Sequence, residues 1–484
     1  MVRSPETLTL PRSRHDAPLR RDRSRLAAHI AAGLVAALLF GSAAPLPAQQ
    51  AERVQPEAAR TPAAADFGKL FDAVVEQTTK AFWDKEGLVR VGWAKRAAEA
   101  RASVVAAPSL EEAARRINGL LAVLKTSHTA LLTPDDVDYY ILLDVFGGAG
   151  MPQPEFDERF WGAGVTYAGI GHFSVKIDGG DFVDAVLEGS PAARAGLKVG
   201  DEILAVDGAP YHAIRSFRGR IGQRAAVTIR RTKDGMPETL SIAVMSVAPL
   251  HAFREATRAS ARIVERDGRR IGYLHVWASV GGDSASALSD ALRTLGVMPP
   301  EVTVARIRPK GSDRPAESPK LDGVVIDMRG KIGGTGSNAG HYLDILDARG
   351  PLVRSRNKGS PDRARADLRG RTAVLIDHHT RSTAELFVHA YKRERQGPLI
   401  GTRTAGAVSA ARAYAMPGGN LLYLAVTGLE IDGEVLEGPG VAPDIEVARP
   451  LAYAQGADPV LEAAVAYLAR LPAARSPKPA AGQW

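Results

Sequence analysis

The chain is 484 residues long, 45% hydrophobic and without cysteine, and its formal net charge is +8. That length calls for two or three domains, and the missing cysteine excludes disulfides, thiolate metal sites and a cysteine nucleophile. The first 48 residues carry seven Arg against three acids, so half of the positive charge sits there. The remainder is too mild to argue for a nucleic-acid partner.

Arg20, Arg21, Arg23 and Arg25 precede an apolar run over 26–40 and the junction GSAAPLPAQQ. This reads as an export signal cleaved after Ala48, so residues 1–48 are expected to be absent from a periplasmic or secreted protein with no stable membrane anchor. Residues 49–65 read as a linker. Over 66–135 the pattern is helical: FGKLFDAVVEQTTKAF has apolar residues three and four apart, and SLEEAARRINGLLAVLK opens on a Ser-x-x-Glu cap. The stretch 133–160, acidic and aromatic and then rich in Gly and Pro, reads as a connector. Short strands and turns fill 160–248. An α/β region spans 249–450, with a charged, Pro-rich surface loop at 299–319. Residues 451–484 give the amphipathic helix LEAAVAYLARL and a disordered tail.

Within the α/β region, TAVLIDHHTRSTAELFVHAYKRE is a strand, a polar bend and a helix, with Ser382 at the bend. A hydroxyl there faces the free N–H groups and positive dipole end of the helix, which suits a nucleophile. Ser382 and Glu385 also read as a capping box. LDGVVIDMRGKIGG is a second strand that breaks into Gly333 and Gly334, where backbone N–H groups can approach a ligand. A serine elbow beside a glycine elbow supplies what acyl transfer requires, a nucleophile and an oxyanion hole. His378 and His379 are near Ser382 in sequence. As residues following a strand they are expected to point to opposite faces, so that at most one serves as a base. Lys392 lies too far along the helix. No His-Glu-x-x-His spacing or comparable metal pattern appears, and no cofactor is expected.

GSPAARAGLKVGDEILAVDG, residues 189–208, resembles the second half of a PDZ domain, and Gly169-Ile170-Gly171 resembles its carboxylate-binding loop. Such a loop holds a peptide C-terminus while the peptide adds a strand to the sheet edge. In chain order, SHTALL (127–132), the PDZ block, GYLHV (272–276), DMRGKIGG (327–334), HTRSTAELF (379–387), LIGTRTAG (399–406) and EGPGVAPDIEV (437–447) resemble the tail-specific, or C-terminal processing, serine peptidases. The resemblance implies an α/β fold: a crotonase- or Clp-protease-like catalytic domain, an N-terminal helical segment and an inserted PDZ domain. It also implies protein or peptide substrates. Members that use a Ser-Lys dyad carry the lysine where this chain has Ala407, and the supporting glutamine where it has Ala411. The family asparagine of the glycine segment is Lys331 here. The chain instead resembles the tricorn-core branch, whose Ser-His-Ser-Glu tetrad maps to Ser382, His128, Ser127 and Glu437. The oxyanion donors then map to the N–H groups of Gly333 and Thr383. A non-catalytic ligand-binding protein and a PDZ scaffold on the same fold are the other readings.

Overall fold

The computed structural model describes residues 66–147, 164–298, 321–330, 333–334, 342, 368, 370–431 and 433–472. The export signal, the linker, the loop 299–319, Lys331 and the tail from 473 lie outside the described residues.

Four helices open the described chain: α1 (Phe67–Ala81), α2 (Lys85–Arg90), α3 (Trp93–Val105) and α4 (Leu110–Leu121). Their starts follow capping chemistry. Asp66 accepts from Lys69 N–H at 3.0 Å, and Ser109 accepts from Glu112 N–H at 3.2 Å. The apolar stripes Leu70, Phe71, Val74 and Ile117, Leu120, Leu121 converge on one core. That core also takes Leu131 of β1 (Ala130–Leu132) and Leu422 and Leu424 of β16 (Asn420–Thr427). β1 pairs antiparallel with β16, whose other neighbour is β15 (Ala410–Met416). The helical segment is thus welded to a distant hairpin, and truncating Ile117 to Ala would cost about 2–5 kcal/mol.

The connector expected over 133–160 is in part a helix, α5 (Val137–Gly147). Its sequence, VDYYILLDVFG, lacks a helical stripe because several faces are covered at once. Ile141 belongs to one apolar cluster, Tyr139 and Leu143 to a second, and Tyr140 packs against both the second and a third.

Next come β2 (Tyr167–Gly169), β3 (His172–Ile177), β4 (Gly180–Val186), β5 (Glu202–Val206), β6 (Ala209–Pro210), β7 (Arg224–Arg230), β8 (Glu238–Ala243) and β9 (Met245–Val247). One antiparallel sheet has the order β3-β4-β5-β7-β8, with β6 on β5, and β2 pairs with β9. Ile170, Val183, Leu197, Val206, Phe217, Val227 and Ile242 fill its core.

The last layer is a six-stranded sheet of β10 (Arg262–Arg266), β11 (Arg269–His275), β12 (Gly323–Asp327), β13 (Thr372–Ile376), β14 (Leu399–Gly401) and β17 (Ile445–Glu446), in that order. All pairs are parallel except β10 with β11. GVVID and TAVLI are buried throughout, as parallel strands covered on both faces must be. Val374 and Ile376 face the helices Gly281–Thr294 and Thr383–Arg393, whereas Ala373 and Leu375 face the helix Pro459–Ala469. Because β12 and β13 are parallel neighbours, the loops leaving their carboxyl ends emerge side by side. In open α/β sheets that is where ligands bind.

Candidate active site

β13 ends at Ile376, and residues 377–380 turn tightly before Ser382. Thr380 N–H donates to Asp377 O at 2.9 Å, and Asp377 N–H donates to Thr380 Oγ1 at 3.1 Å. Ser382 has φ 55° and ψ −125°, in place of the extended backbone of an ordinary capping serine. A non-glycine residue held there costs about 1–3 kcal/mol and is typical of functional elbows. Its N–H donates to Ala407 O (2.8 Å) and to Glu385 Oε2 (3.2 Å). The Ser-x-x-Glu signal is therefore both an elbow and a helix start.

The glycine loop abuts this elbow. A Cβ on Gly333 would stand 2.3 Å from Ser382 Cβ and 2.8 Å from Thr383 N, so only glycine lets the two backbones meet. Ser279 N–H donates to Gly333 O at 2.8 Å, and Ser279 forms a parallel bridge with Gly334. The amides of Gly333 and Thr383 are thereby brought beside the serine.

Ser127 and His128 lie past the short 3-10 turn Ala122–Leu124, in the loop entering β1. His128 has φ 53° and packs edge-on against Tyr423, with ring centroids 5.3 Å apart. Its Nδ1 is 2.6 Å from Ser127 Oγ. Ser127 Oγ donates to Glu437 Oε2 (3.1 Å), and Ser127 N–H donates to Glu437 Oε1 (2.7 Å). Because the Ser127 hydroxyl proton goes to the carboxylate, its oxygen accepts from Nδ1–H. Nε2 is then the bare nitrogen, as a base requires. Val408 and Ser409 N–H groups complete the cradle of Glu437, at 3.0 and 2.9 Å. Burial raises the Glu437 pKa, but these four donors outweigh it and hold it below the usual value.

Ser127, His128, Gly333, Gly334 and Ser382 line one cavity of about 250 Å³. Leu132, Ile141, Leu142, Val145 and Val280 give it an apolar wall, and Asp138, Arg381 and Tyr423 border it. Burial and the nearby Arg381 cation pull the His128 pKa down to about 4, against the opposing charge of Glu437. The pull of Glu437 toward the imidazolium is thus outweighed, and His128 is neutral at pH 7.

The remaining sequence candidates lie elsewhere. His378 and His379 do not line the cavity and do not point to opposite faces. They sit in a turn, where period-two alternation fails, and their rings lie 3.9 Å apart. Lys392 Nζ bonds Ala442 O at 2.7 Å and pairs with Asp444 at 3.0 Å. Ala407 is buried, and its N–H donates to Glu385 Oε2 at 2.7 Å. Gly169, Ile170 and Gly171 are not part of the cavity. They lead into β3, an edge of its sheet among the described residues, and Gly171 O accepts from Leu187 N–H and Ser190 Oγ.

Three contributors escaped the sequence reading. α5 supplies much of the apolar wall, Arg381 lowers the His128 pKa, and Glu385 does more than cap. Glu385 also accepts from Thr404 Oγ1, Gly406 N–H and Ala407 N–H at 2.6–2.8 Å. Only Arg381, adjacent to Ser382, carried a positional hint.

Residues 314–447 match the model of peptidase family S41, and residues 182–231 match that of the PDZ domain. The carboxy-terminal processing protease CtpA of Bacillus subtilis (strain 168) is 25% identical over 304 residues, covering 61% of this chain and 58% of that protein. The putative tricorn protease homolog 2 of Streptomyces coelicolor is 24% identical over 420 residues, covering 83% of this chain and 32% of that protein. The chain thus spans between a third and three fifths of the length of these relatives. Among solved structures, the photosystem II D1 C-terminal processing protease aligns with 81% of this chain and 98% of its own, at 17% identity and a TM-score of 0.43. The chain thus carries a segment that matches peptidase family S41 and, ahead of it, one that matches the PDZ domain.

Proposed function

We propose that this chain is an exported serine endopeptidase acting on unfolded or flexible polypeptides. The observation that carries the reading is the single cavity in which Ser382, His128, Ser127 and Gly333 meet, with Glu437 behind Ser127. In this mechanism His128 Nε2 takes the Ser382 Oγ proton as Oγ attacks the carbonyl carbon of the scissile bond. The carbonyl oxygen becomes an oxyanion held by the N–H groups of Gly333 and Thr383. The imidazolium, steadied through Ser127 by Glu437, returns the proton to the departing amine. Water, deprotonated by the same nitrogen, then releases the acyl group from Ser382. The apolar cavity wall fits an apolar side chain beside the scissile bond. The loop Gly169-Ile170-Gly171 fits capture of a substrate C-terminus, and the leader fits export across a membrane.

Hydrolysis of an unfolded protein by the wild-type chain and by Ser382→Ala tests the proposal. Cleavage by the wild type and none by a folded Ser382→Ala variant is the expected result. Equal cleavage by both would remove Ser382 from the mechanism, and no cleavage by either would favour a binding role for the same fold.

A further inference from the structure

β4 and the turn after it touch both arms of the candidate site. Asp184 on β4 is buried, and its Oδ2 lies 2.9 Å from His379 Nε2. His379 belongs to the turn that leads into Ser382, and its own N–H donates to Asp377 Oδ1 at 2.8 Å. The next residue, Thr380, anchors that turn to Met328 O through Oγ1 (3.0 Å) and accepts from Ala405 N–H (3.0 Å). Four residues after Asp184, Glu188 accepts from Trp277 Nε1 at 2.6 Å and lies 3.2 Å from His275 Nδ1. Trp277 is fully buried and stacks on Phe173 of β3 and on Phe253. It stands two residues before Ser279, which holds Gly333 O.

Two carboxylates within five residues of the PDZ region therefore reach out of it. One grips the turn of the nucleophile, and the other grips the segment that carries the glycine loop. The separation of these two elbows sets the oxyanion hole, where a displacement of about 1 Å costs about 100-fold in rate. We propose that Asp184 and Glu188 are positioning residues, which fix the spacing of Ser382 and Gly333 through His379 and Trp277. This rests on the peptidase reading above.

The test uses the full chain with Asp184→Ala, Glu188→Ala and Glu188→Gln, and a short apolar peptide with an amidated C-terminus. Such a peptide offers no terminal carboxylate to the PDZ loop. Both alanine variants should lower kcat about 10- to 100-fold while KM stays within about twofold. Glu188→Gln should restore most of the rate, because an amide oxygen still accepts from the indole N–H. Hydrogen exchange in the segments carrying Gly333 and Ser382 should quicken about tenfold in the alanine variants and not in Glu188→Gln. Unchanged kcat in both alanine variants, or unchanged exchange at both elbows, would overturn the proposal. If the wild type hydrolyses nothing, the peptidase reading fails, and the exchange result alone decides the positioning role.

Discussion

Glu437 and Glu385 are the same side chain on opposite arms of the site, and each accepts four hydrogen bonds. Glu437 takes them from Ser127 N–H and Oγ and from the N–H groups of Val408 and Ser409. Glu385 takes them from Thr404 Oγ1 and from the N–H groups of Gly406, Ala407 and Ser382. Both therefore clamp the loop 404–409, one from the base arm and one from the nucleophile arm. Their electrostatics nevertheless differ in sign. Burial dominates at the fully enclosed Glu385 and raises its pKa, whereas at the half-buried Glu437 the donors win and lower it. With equal donor counts, the difference in enclosure gives the two shifts their opposite signs. In the proposed relay Glu437, bonded to Ser127, is the carboxylate behind the base, whereas Glu385, bonded to Ser382 N–H, holds the nucleophile's loop.

The largest effects should come from the groups both carboxylates serve. Ser382→Ala and His128→Ala should each reduce turnover by at least about 10⁴-fold, and the double variant should be no worse, because members of one relay are not additive. Steady-state hydrolysis checks this, with thermal unfolding to confirm that each variant is folded. Gly333→Ala comes next, since its Cβ would collide with Ser382 and part the two oxyanion donors. A loss of about 100- to 1000-fold in kcat is expected.

The two carboxylates can then be set against each other. Glu437→Gln should lower kcat about 10- to 100-fold, because it orients and stabilises the base without itself transferring the proton, and should lower stability less than the same change at the more enclosed Glu385. Glu385→Gln should chiefly lower stability, by about 1–3 kcal/mol, because one amide face would meet N–H groups it cannot accept from. Denaturant melts and kinetics on the same samples measure both; the reverse pattern would exchange the two roles.

The smallest effect is a shift in pH dependence. A base with its pKa drawn down to about 4 is deprotonated above that value, so kcat/KM should rise through about pH 4 and be flat near neutrality. Arg381→Gln removes a charge that lowers the His128 pKa and should move this limb upward. Glu437→Gln removes one that raises it and should move the limb downward. A limb centred near pH 6.5 in the wild type would mean that burial does not govern His128.

Much of the site was legible because its parts are local. Five-residue apolar runs declared β12 and β13, and the residues that follow them declared the two elbows. The base arm was different. Ser127 and Glu437 stand 310 residues apart, and no periodicity or spacing brings them together; only resemblance did so. α5 was read as a connector because a helix covered on several sides has no amphipathic stripe. His378 and His379 were misdirected because strand alternation stops where β13 ends. Ala407 was legible as a missing lysine, but not as the residue that joins Glu385 to the nucleophile arm. Asp184 and Glu188 gave no signal, since a carboxylate that reaches into another sheet looks the same in sequence as one that faces solvent.

Covalent labelling by a serine-reactive phosphonate, with the modified residue located by peptide mass mapping, is the most direct test of the site. The label is expected on Ser382 in the wild type, His128→Ala should slow labelling by several orders of magnitude, and Glu385→Gln should slow it far less than Glu437→Gln. Label on another serine, or labelling of Ser382 at the wild-type rate without His128, would contradict this mechanism.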